Sequence, residues 1–293
     1  MPAHRIAIYG KGGIGKSTIA TNLSILFAKS GKKVLHVGCD PKRDSSLKLL
    51  DGQACTTVLD AFTAQGDRVK AEDMVAVGRH GVHLVEAGGP EPGMGCAGRG
   101  VSLMIERLEQ LRLVEQGHYE VVVYDVLGDV VCGGFAAPLR RGIGQYVYIV
   151  TSEETMSLYA ANNIAKAVVR YSRNGIMLAG LIANQREIGD FSDMLNAFAE
   201  SLGTRLCALF HRDPLVRKAE NRFQTVVEAA PDSKISLQFQ ELAAQMALRE
   251  PQPYPIPTPL DQNQFVQFIR QYSRDEDLQD EPSDGNDNAS ASS

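Results

Sequence analysis

Apolar and polar positions follow two different periods along most of the chain. Short apolar runs rich in β-branched residues predict strands at 5–9, 33–38, 82–86, 120–125, 146–150 and 177–183. Elsewhere apolar residues recur three and four positions apart, which predicts helices at 16–30, 102–114, 157–171, 191–202 and 233–247. Runs that are apolar on both faces are typical of strands buried in a parallel sheet. The pattern therefore predicts an α/β protein, a three-layer α/β/α fold around a mostly parallel sheet.

The pattern changes near residue 250. The alternating prolines of residues 250–259 predict an extended connector to a short helix near 261–272. We expect residues 250–273 to wrap the body, so that residues 1–273 form one domain. Residues 274–293, rich in Asp, Ser, Asn and Gly, carry too few apolar groups to offset the entropy of ordering and predict a disordered acidic tail.

Composition limits the classes of partner. Hydrophobic residues make up 44% and charged residues 22%, and no apolar run is long enough to span a membrane. The chain enters its first strand without a signal peptide, so we expect a cytoplasmic protein. The net charge is −5, but seven of the 35 acidic residues lie in 275–293, and the rest of the chain has 28 acids against 30 bases. This balance predicts neither a nucleic-acid nor a membrane partner.

A phosphate-binding loop follows the first predicted strand. Residues 10–17, Gly-Lys-Gly-Gly-Ile-Gly-Lys-Ser, fit the pattern G-x-x-x-x-G-K-[ST] and open the first helix. Backbone N–H groups of the loop should surround a phosphate, Lys16 should contact the β- and γ-phosphates, and Ser17 should coordinate Mg²⁺. The expected nucleotide-binding residues are Gly12, Gly13, Ile14, Gly15, Lys16, Ser17 and Thr18. The fold is therefore predicted to be a P-loop NTPase.

Lys11 is a second lysine that the general loop pattern does not require. With it, the loop resembles the deviant-Walker subgroup of P-loop ATPases. The resemblance implies that Lys11 reaches across a dimer to the partner's nucleotide. The alternative is a solvated surface lysine.

Acidic residues follow the predicted strands at the edge that carries the phosphate loop. Asp125 ends the fourth predicted strand and is the expected Walker-B carboxylate, which holds Mg²⁺ through water. Asp40, after the second strand, could position the attacking water, and Asp44 and Asp129 could sense the γ-phosphate. Helix capping or simple solvation remains the alternative for each of these acids.

Two glycine-flanked loops, residues 88–100 and 125–135, contain Cys96 and Cys132. Two thiolates are half of what a [4Fe–4S] cluster requires, so a cluster held by this pair must be shared between two copies of the chain. The alternative is a pair of buried structural cysteines. The three others, Cys39, Cys55 and Cys207, are expected to be small buried apolar residues.

The cysteine loops, together with residues 37–42 and 158–164, resemble the nitrogenase iron protein family over roughly residues 4–270. The resemblance implies a homodimer with one [4Fe–4S] cluster on its two-fold axis, ligated by Cys96 and Cys132 of each subunit. It also implies that MgATP hydrolysis to MgADP drives docking to a nitrogenase-like catalytic heteromer and delivery of single electrons. A ferredoxin or flavodoxin would supply those electrons.

The same resemblance implies roles for further residues. Arg99 would lie on the docking face and Lys42 in the nucleotide site. The adenine-side positions match Asn184, Arg212, Asp213, Arg217 and Glu220. A surface role is the alternative for the adenine-side residues.

Departures from the usual family motifs bear on the choice of member. Residues 43–47 read Arg-Asp-Ser-Ser-Leu where Ala-Asp-Ser-Thr-Arg is usual, and 211–213 read His-Arg-Asp where Pro-Arg-Asp is usual. We expect the reductase of a nitrogenase-like system that acts on another substrate, with methylthio-alkane reductase as first choice. The alternatives are a nitrogenase iron protein and then a chlorophyllide or protochlorophyllide reductase iron protein.

Two readings come from other classes of protein. A ParA- or MinD-like positioning ATPase would share the phosphate loop and Lys11, but it has no use for the cysteine loops. An iron–sulfur assembly scaffold should present a closely spaced Cys-x-x-Cys pair, and the sequence contains none.

Overall fold

A single eight-stranded sheet lies at the centre of the main unit. The structure, a computed structural model, describes residues 2–40, 44–89, 98–128, 136–247 and 254–277. The strands lie in the order β3-β4-β2-β5-β1-β6-β7-β8. Their bounds are β1 (His4–Gly10), β2 (Val34–Gly38), β3 (Ala76–Val77), β4 (His83–Glu86), β5 (Val121–Asp125), β6 (Tyr146–Thr151), β7 (Met177–Asn184) and β8 (Leu206–Phe210).

Helices connect the strands and cover the sheet. In the main unit they are α1 (Lys16–Lys29), α2 (Asp44–Leu49), α3 (Val58–Gln65), α4 (Gly98–Gln110), α5 (Leu113–Gln116), α6 (Ala137–Arg140), α7 (Thr155–Tyr171), α8 (Ser192–Ser201), α9 (Pro214–Glu220), α10 (Val226–Ala229) and α11 (Lys234–Ala247). Every strand pairing is parallel except that of β3 with β4. The predicted three-layer P-loop fold is confirmed.

The central strands explain why the apolar runs were informative. Ile6 and Ile8 of β1 and Val121 and Val123 of β5 all lie in the buried core. All six predicted strands are present, whereas β3 and β8 were not predicted. β3 has only two residues, and β8, Leu-Cys-Ala-Leu-Phe, lacks the β-branched residues that mark the other strands.

Helix α4 corrects one predicted boundary. It begins at Gly98, four residues before the predicted start at 102, and ends at Gln110. Gly100 packs so tightly against the Gly88 carbonyl oxygen that a Cβ there would collide with it. Arg112 adopts a left-handed φ of 46°, which separates α4 from the short α5. Close glycine packing therefore allows the helix to begin nearer to Cys96 than its apolar period suggested.

The register of the sheet brings the carboxyl ends of three strands together. Asp125 of β5 aligns with Ile8 of β1 and with Gly38 of β2. The Cys39 N–H donates to the Asp125 carbonyl at 2.9 Å. The ends of β1, β2 and β5 therefore share one edge, where the chain continues into the phosphate loop, Asp40 and Val126.

Residues 260–293 form a separate unit, of which 260–277 are described. It contains α12 (Gln262–Asp277), which begins with reciprocal bonds between Asp261 and Gln264. The predicted wrap of residues 250–273 and the predicted tail 274–293 stay predictions. Within the described ranges, the helices are too short or too polar to cross a membrane.

Candidate functional site

The phosphate loop is shaped by glycines and held in place by Asn184. Gly15 has a left-handed φ of 105°, and a Cβ there would lie 2.5 Å from the Asn184 Nδ2 atom. The Asn184 amide donates to the Ile14 carbonyl at 2.7 Å, so the end of β7, two strands away from β1 in the sheet, supports the loop. Lys16, 8% exposed, begins α1 and donates through Nζ to the Lys11 carbonyl at 3.2 Å. This geometry is that of a phosphate cradle at a helix N-terminus.

A cavity of about 310 Å³ opens above the loop. The side chains around it come from α1, α2, α9 and the ends of β2 and β5. Its lining consists of Gly12, Gly13, Gly15, Lys16, Ser17, Thr18, Asp40, Lys48, Asp125, Val126, Gly128 and Glu220. Most of the predicted phosphate-site residues thus meet in one place.

Asp125 is buried on the floor of this cavity. The Ser45 hydroxyl donates to its Oδ2 atom, while Oδ1 has no hydrogen-bond partner within the described ranges. Burial raises the pKa of the Asp125 carboxyl, and the Ser17 and Ser45 hydroxyls and the Lys16 ammonium oppose that rise only in part. A buried carboxylate with an unsatisfied oxygen fits the predicted Mg²⁺ position.

A second cavity, of about 620 Å³, adjoins the first and shares Gly15, Thr18 and Glu220 with it. Phe210 and Phe239 stack at 4.4 Å along its apolar part. All the predicted adenine-side residues line it, namely Asn184, Arg212, Asp213, Arg217 and Glu220. Asp213 also caps α9, since its carboxylate accepts from the Leu215 N–H at 2.8 Å. A partly apolar pocket beside a phosphate cradle fits a nucleobase.

Lys48 joins the two cavities and was not predicted from the sequence. Its Nζ donates to Glu220 Oε1 at 2.6 Å and to Thr18 Oγ1 at 3.0 Å. Burial raises the pKa of Glu220, but the bonds from Lys48 and Thr18 outweigh it and leave that pKa lowered. The only indication in the sequence is that Lys48 lies four residues after Asp44, about one helical turn further along. This spacing does not reveal that Lys48 pairs with Glu220, 172 residues away.

Lys11 lies at the open side of the phosphate loop. It forms an ion pair with Glu154 at 3.5 Å, and both side chains are about one-third or more exposed. Nearby, the unpredicted Arg186 donates to the Gly13 carbonyl, and Glu153 accepts the backbone N–H groups of Arg186 and Glu187. The segment after β7 therefore supports the outer side of the phosphate loop.

The two cysteines of the glycine-rich loops, Cys96 and Cys132, lie outside the described residues, as do Lys42 and Asp129. Of the other three cysteines, Cys39 is buried as predicted, whereas Cys55 and Cys207 are only partly buried. Cys39 is fully buried and its thiol pKa is raised, first by burial and then by Asp125, Glu86 and Asp40. Cys55 packs against the core, and Cys207 lies in β8. No cluster of three or more metal-binding side chains occurs in the described part of the chain.

The described ends of the two cysteine loops are closely packed. Gly88 and Gly100, which flank the Cys96 loop, touch each other, and Arg99 is exposed in the first turn of α4. Gly128, in the described part of the Cys132 loop, abuts the phosphate loop: a Cβ there would lie 2.7 Å from both Gly12 Cα and Lys16 Nζ. Asp44, the remaining predicted acid, begins α2. One cysteine loop therefore starts at the phosphate cavity.

Known structures resemble the fold of this chain. The septum site-determining protein MinD of Pyrococcus horikoshii, solved with Mg-ADP, matches with a TM-score of 0.66 and 23% identity over 83% of this chain and 95% of its own. MinD of Pyrococcus furiosus matches with the same TM-score and 22% identity over 83% and 98%. Similarity at this level of identity concerns the fold alone.

Sequence relatives are much nearer. A nitrogenase iron protein of Methanospirillum hungatei is 46% identical over 92% of this chain and 95% of its own. One of Methanococcus voltae is 47% identical over 87% and 92%. The model of the 4Fe-4S iron–sulfur cluster binding proteins of the NifH/frxC family matches residues 4–275. The chain therefore belongs to this family of homodimeric, ATP-hydrolysing iron–sulfur reductases, which use MgATP and a [4Fe–4S] cluster to deliver electrons to a catalytic partner.

Proposed function

We propose that this protein is the reductase component of a nitrogenase-like system and that nucleotide occupancy of the phosphate cavity controls its electron delivery. The observation that carries the proposal is the path of one segment. It leaves β5 at Asp125, on the cavity floor, and reaches Gly128 against the phosphate loop. Cys132 follows four residues later. A change in the bound phosphates would therefore alter the contacts of the segment that leads to Cys132.

At the phosphates, the cradle geometry supports binding by the backbone of Gly12, Gly13, Ile14, Gly15 and Thr18. Lys16 would neutralise the β- and γ-phosphates, and Ser17 and Asp125 would hold Mg²⁺. Asp40, which lines the same cavity, would orient the attacking water. Asp44 and Asp129 would respond to the γ-phosphate, and Lys42 would bind the nucleotide. Lys11, at the open side, would reach the nucleotide of the second subunit.

At the base, the second cavity supports adenosine binding. Phe210 and Phe239 give it an apolar wall, while Asn184, Arg212, Asp213, Arg217 and Glu220 bring polar groups to its rim. Asn184 would act indirectly as well, because its amide already fixes the Ile14 carbonyl. A nucleotide lying across both cavities would thus be held at its base and at its phosphates.

The residues available for the iron–sulfur group are Cys96 and Cys132 of each of two subunits. The donor set fits, because four thiolates are needed and two subunits supply four from this pair, while Cys39 is buried in the core. When bound, a [4Fe–4S] cluster supplies reversible one-electron redox chemistry. Arg99, exposed and three residues after Cys96, would contact the catalytic partner. A ferredoxin or flavodoxin would be the electron donor.

For the catalytic partner, the sequence departures at residues 43–47 and 211–213 support a system other than nitrogenase, with methylthio-alkane reductase first. A nitrogenase partner is the second candidate, supported by the names of the relatives at 46% and 47% identity. Chlorophyllide and protochlorophyllide reductases come third. All three systems require the same electron delivery from the reductase, so the product that the catalytic partner forms distinguishes them.

The test combines the reduced protein, under anaerobic conditions, with the catalytic proteins encoded beside its gene. The expected result is MgATP-dependent release of a thiol from a methylthio-alkane, with no release when MgADP replaces MgATP. Formation of ammonia from N₂ instead would assign the nitrogenase role. Electron transfer at the same rate without any nucleotide would contradict ATP control.

A further inference from the structure

Three side chains from three helices meet where the two cavities join. Lys48 comes from α2, Thr18 from α1 and Glu220 from α9. The Lys48 ammonium lies 2.6 Å from Glu220 and 3.0 Å from Thr18, and Thr18 donates to Glu220 at 2.8 Å. The Lys48 side chain is only 14% exposed, so it is held in one position.

This meeting point lies on the path that a nucleotide must take. Thr18 and Glu220 line both cavities, and Lys48 lines the phosphate cavity. With its terminal phosphates on the loop and its base in the larger cavity, a nucleotide has its sugar and α-phosphate beside Thr18. This placement rests on the function proposed above.

The charges that line the phosphate cavity favour a role for Lys48 in binding phosphate. Among its described lining residues, the cations are Lys16 and Lys48, against three carboxyl groups. An ammonium has three N–H donors, and within the described ranges Lys48 uses two of them, on Glu220 and Thr18. The Lys48–Glu220 pair is only partly buried, and an ion pair of this kind adds little net stability, because desolvation and solvent screening offset the attraction of the charges. A role in ligand binding therefore explains the pair better than a contribution to the stability of the fold.

We propose that Lys48 is a nucleotide-binding residue whose ammonium, positioned by Thr18 and Glu220, contacts the α-phosphate of a bound nucleoside di- or triphosphate. It thereby divides the phosphates between two lysines. Lys16 serves the terminal phosphates and Lys48 the phosphate that carries the sugar. Because Lys48 lies on the helix that Asp44 begins, its contact also joins α2 to the nucleotide.

The test measures MgADP binding to the dimer by calorimetry and by ³¹P NMR of the bound nucleotide. Lys48→Met should weaken MgADP binding about tenfold, and Lys48→Arg should retain most of it, because a guanidinium also binds phosphate. In the bound state, Lys48→Met should shift the α-phosphorus resonance more than the β-phosphorus resonance. Lys70→Met removes an exposed lysine that is also paired with a glutamate, and it should change neither quantity.

Two outcomes would overturn the proposal. One is wild-type affinity for MgADP in Lys48→Met. The other is weaker binding with an unshifted α-phosphorus resonance, which would mean that Lys48 only holds α2 and α9 together. Failure of the wild-type protein to bind MgADP would instead count against the proposed function, so the two failures are distinguishable.

Discussion

Gly128 lies directly against Lys16: a methyl group at Gly128 would fall 2.7 Å from the lysine Nζ atom. The two residues belong to different segments, one to the phosphate loop and the other to the described part of the Cys132 loop. The contact is possible only because residue 128 has no side chain. The nucleotide site and the segment that leads to Cys132 are therefore in direct contact at Gly128.

Substitution Gly128→Ala should weaken MgATP binding about tenfold or more, because the added methyl must displace Lys16 or the phosphate loop. The measurement is equilibrium binding of MgATP to the dimer. Gly117→Ala is the control, since its methyl would also collide with neighbours, Leu113 and Tyr119, but away from the nucleotide cavities. It should lower the melting temperature without changing affinity. Equal affinities of Gly128→Ala and wild type would contradict the contact.

Substitution Lys16→Met should reduce MgADP affinity about 100-fold, since it removes a buried charge partner of the phosphates. Lys11→Met should behave differently, because Lys11 is exposed beside Glu154 and its surface ion pair contributes little. We expect near-normal MgADP affinity with ATP hydrolysis lowered about 100-fold. Steady-state ATPase assays and calorimetry distinguish the two effects. Normal ATPase activity in Lys11→Met would return Lys11 to the role of a solvated surface lysine.

The pH dependence of stability should reveal Asp125. Its folded-state pKa is raised by burial, so the stability that its protonated form contributes is present at low pH and is lost as pH rises through the folded pKa. The nearly isosteric Asp125→Asn cannot ionise and should be more stable than wild type at neutral pH, by about 1–3 kcal/mol, with the difference shrinking towards pH 4. Thermal unfolding of nucleotide-free protein at fixed concentration across pH 4–8 tests this. A difference that does not vary with pH would contradict it. The same variant should lose Mg²⁺-dependent ATP hydrolysis.

Asn184 lines the larger cavity and should also affect nucleotide binding indirectly, because its amide holds the Ile14 carbonyl of the phosphate loop. Asn184→Ala leaves the Ile14 carbonyl without its donor and should weaken both ADP and AMP binding about tenfold. Asn196→Ala is the control, because its amide also donates to a backbone carbonyl, that of Ser192, on an exposed helix face. Displacement of a fluorescent ADP analogue provides the measurement. Unchanged binding in Asn184→Ala would remove it from the nucleotide site.

Local patterns in the sequence were enough to predict the fold and the phosphate cavity. Structure is encoded within a few residues in the apolar runs of β1 and β5 and in the loop 10–17. The sequence was therefore enough to predict that Lys16, Asp40 and Asp125 lie at the same edge of the sheet. The positions of Lys48 and Arg186 could not be predicted, because each depends on a partner more than 100 positions away. The two-residue β3 was missed for the opposite reason, since so short a segment carries no period.

The cysteine loops were identified by motif and resemblance. The expectation that the other three cysteines are buried holds for Cys39, whereas Cys55 and Cys207 are only partly buried. Cys39 is sealed in the core and Cys207 lies in a strand. Neither location could have been deduced from composition, because a buried thiol and a ligand thiol are the same residue type. What separates them is the density of glycine around Cys96 and Cys132, which permits close backbone approach.

The most direct test of the account is the iron content of anaerobically purified protein, measured with the EPR spectrum of its reduced form. The wild type and Cys55→Ala should contain about four irons per dimer and give a reduced-cluster signal that changes with MgATP. Cys96→Ala and Cys132→Ala should lose both the iron and the signal. Iron-free wild-type protein after anaerobic reconstitution, or a Cys132→Ala variant that keeps its cluster, would contradict a shared cluster controlled by nucleotide.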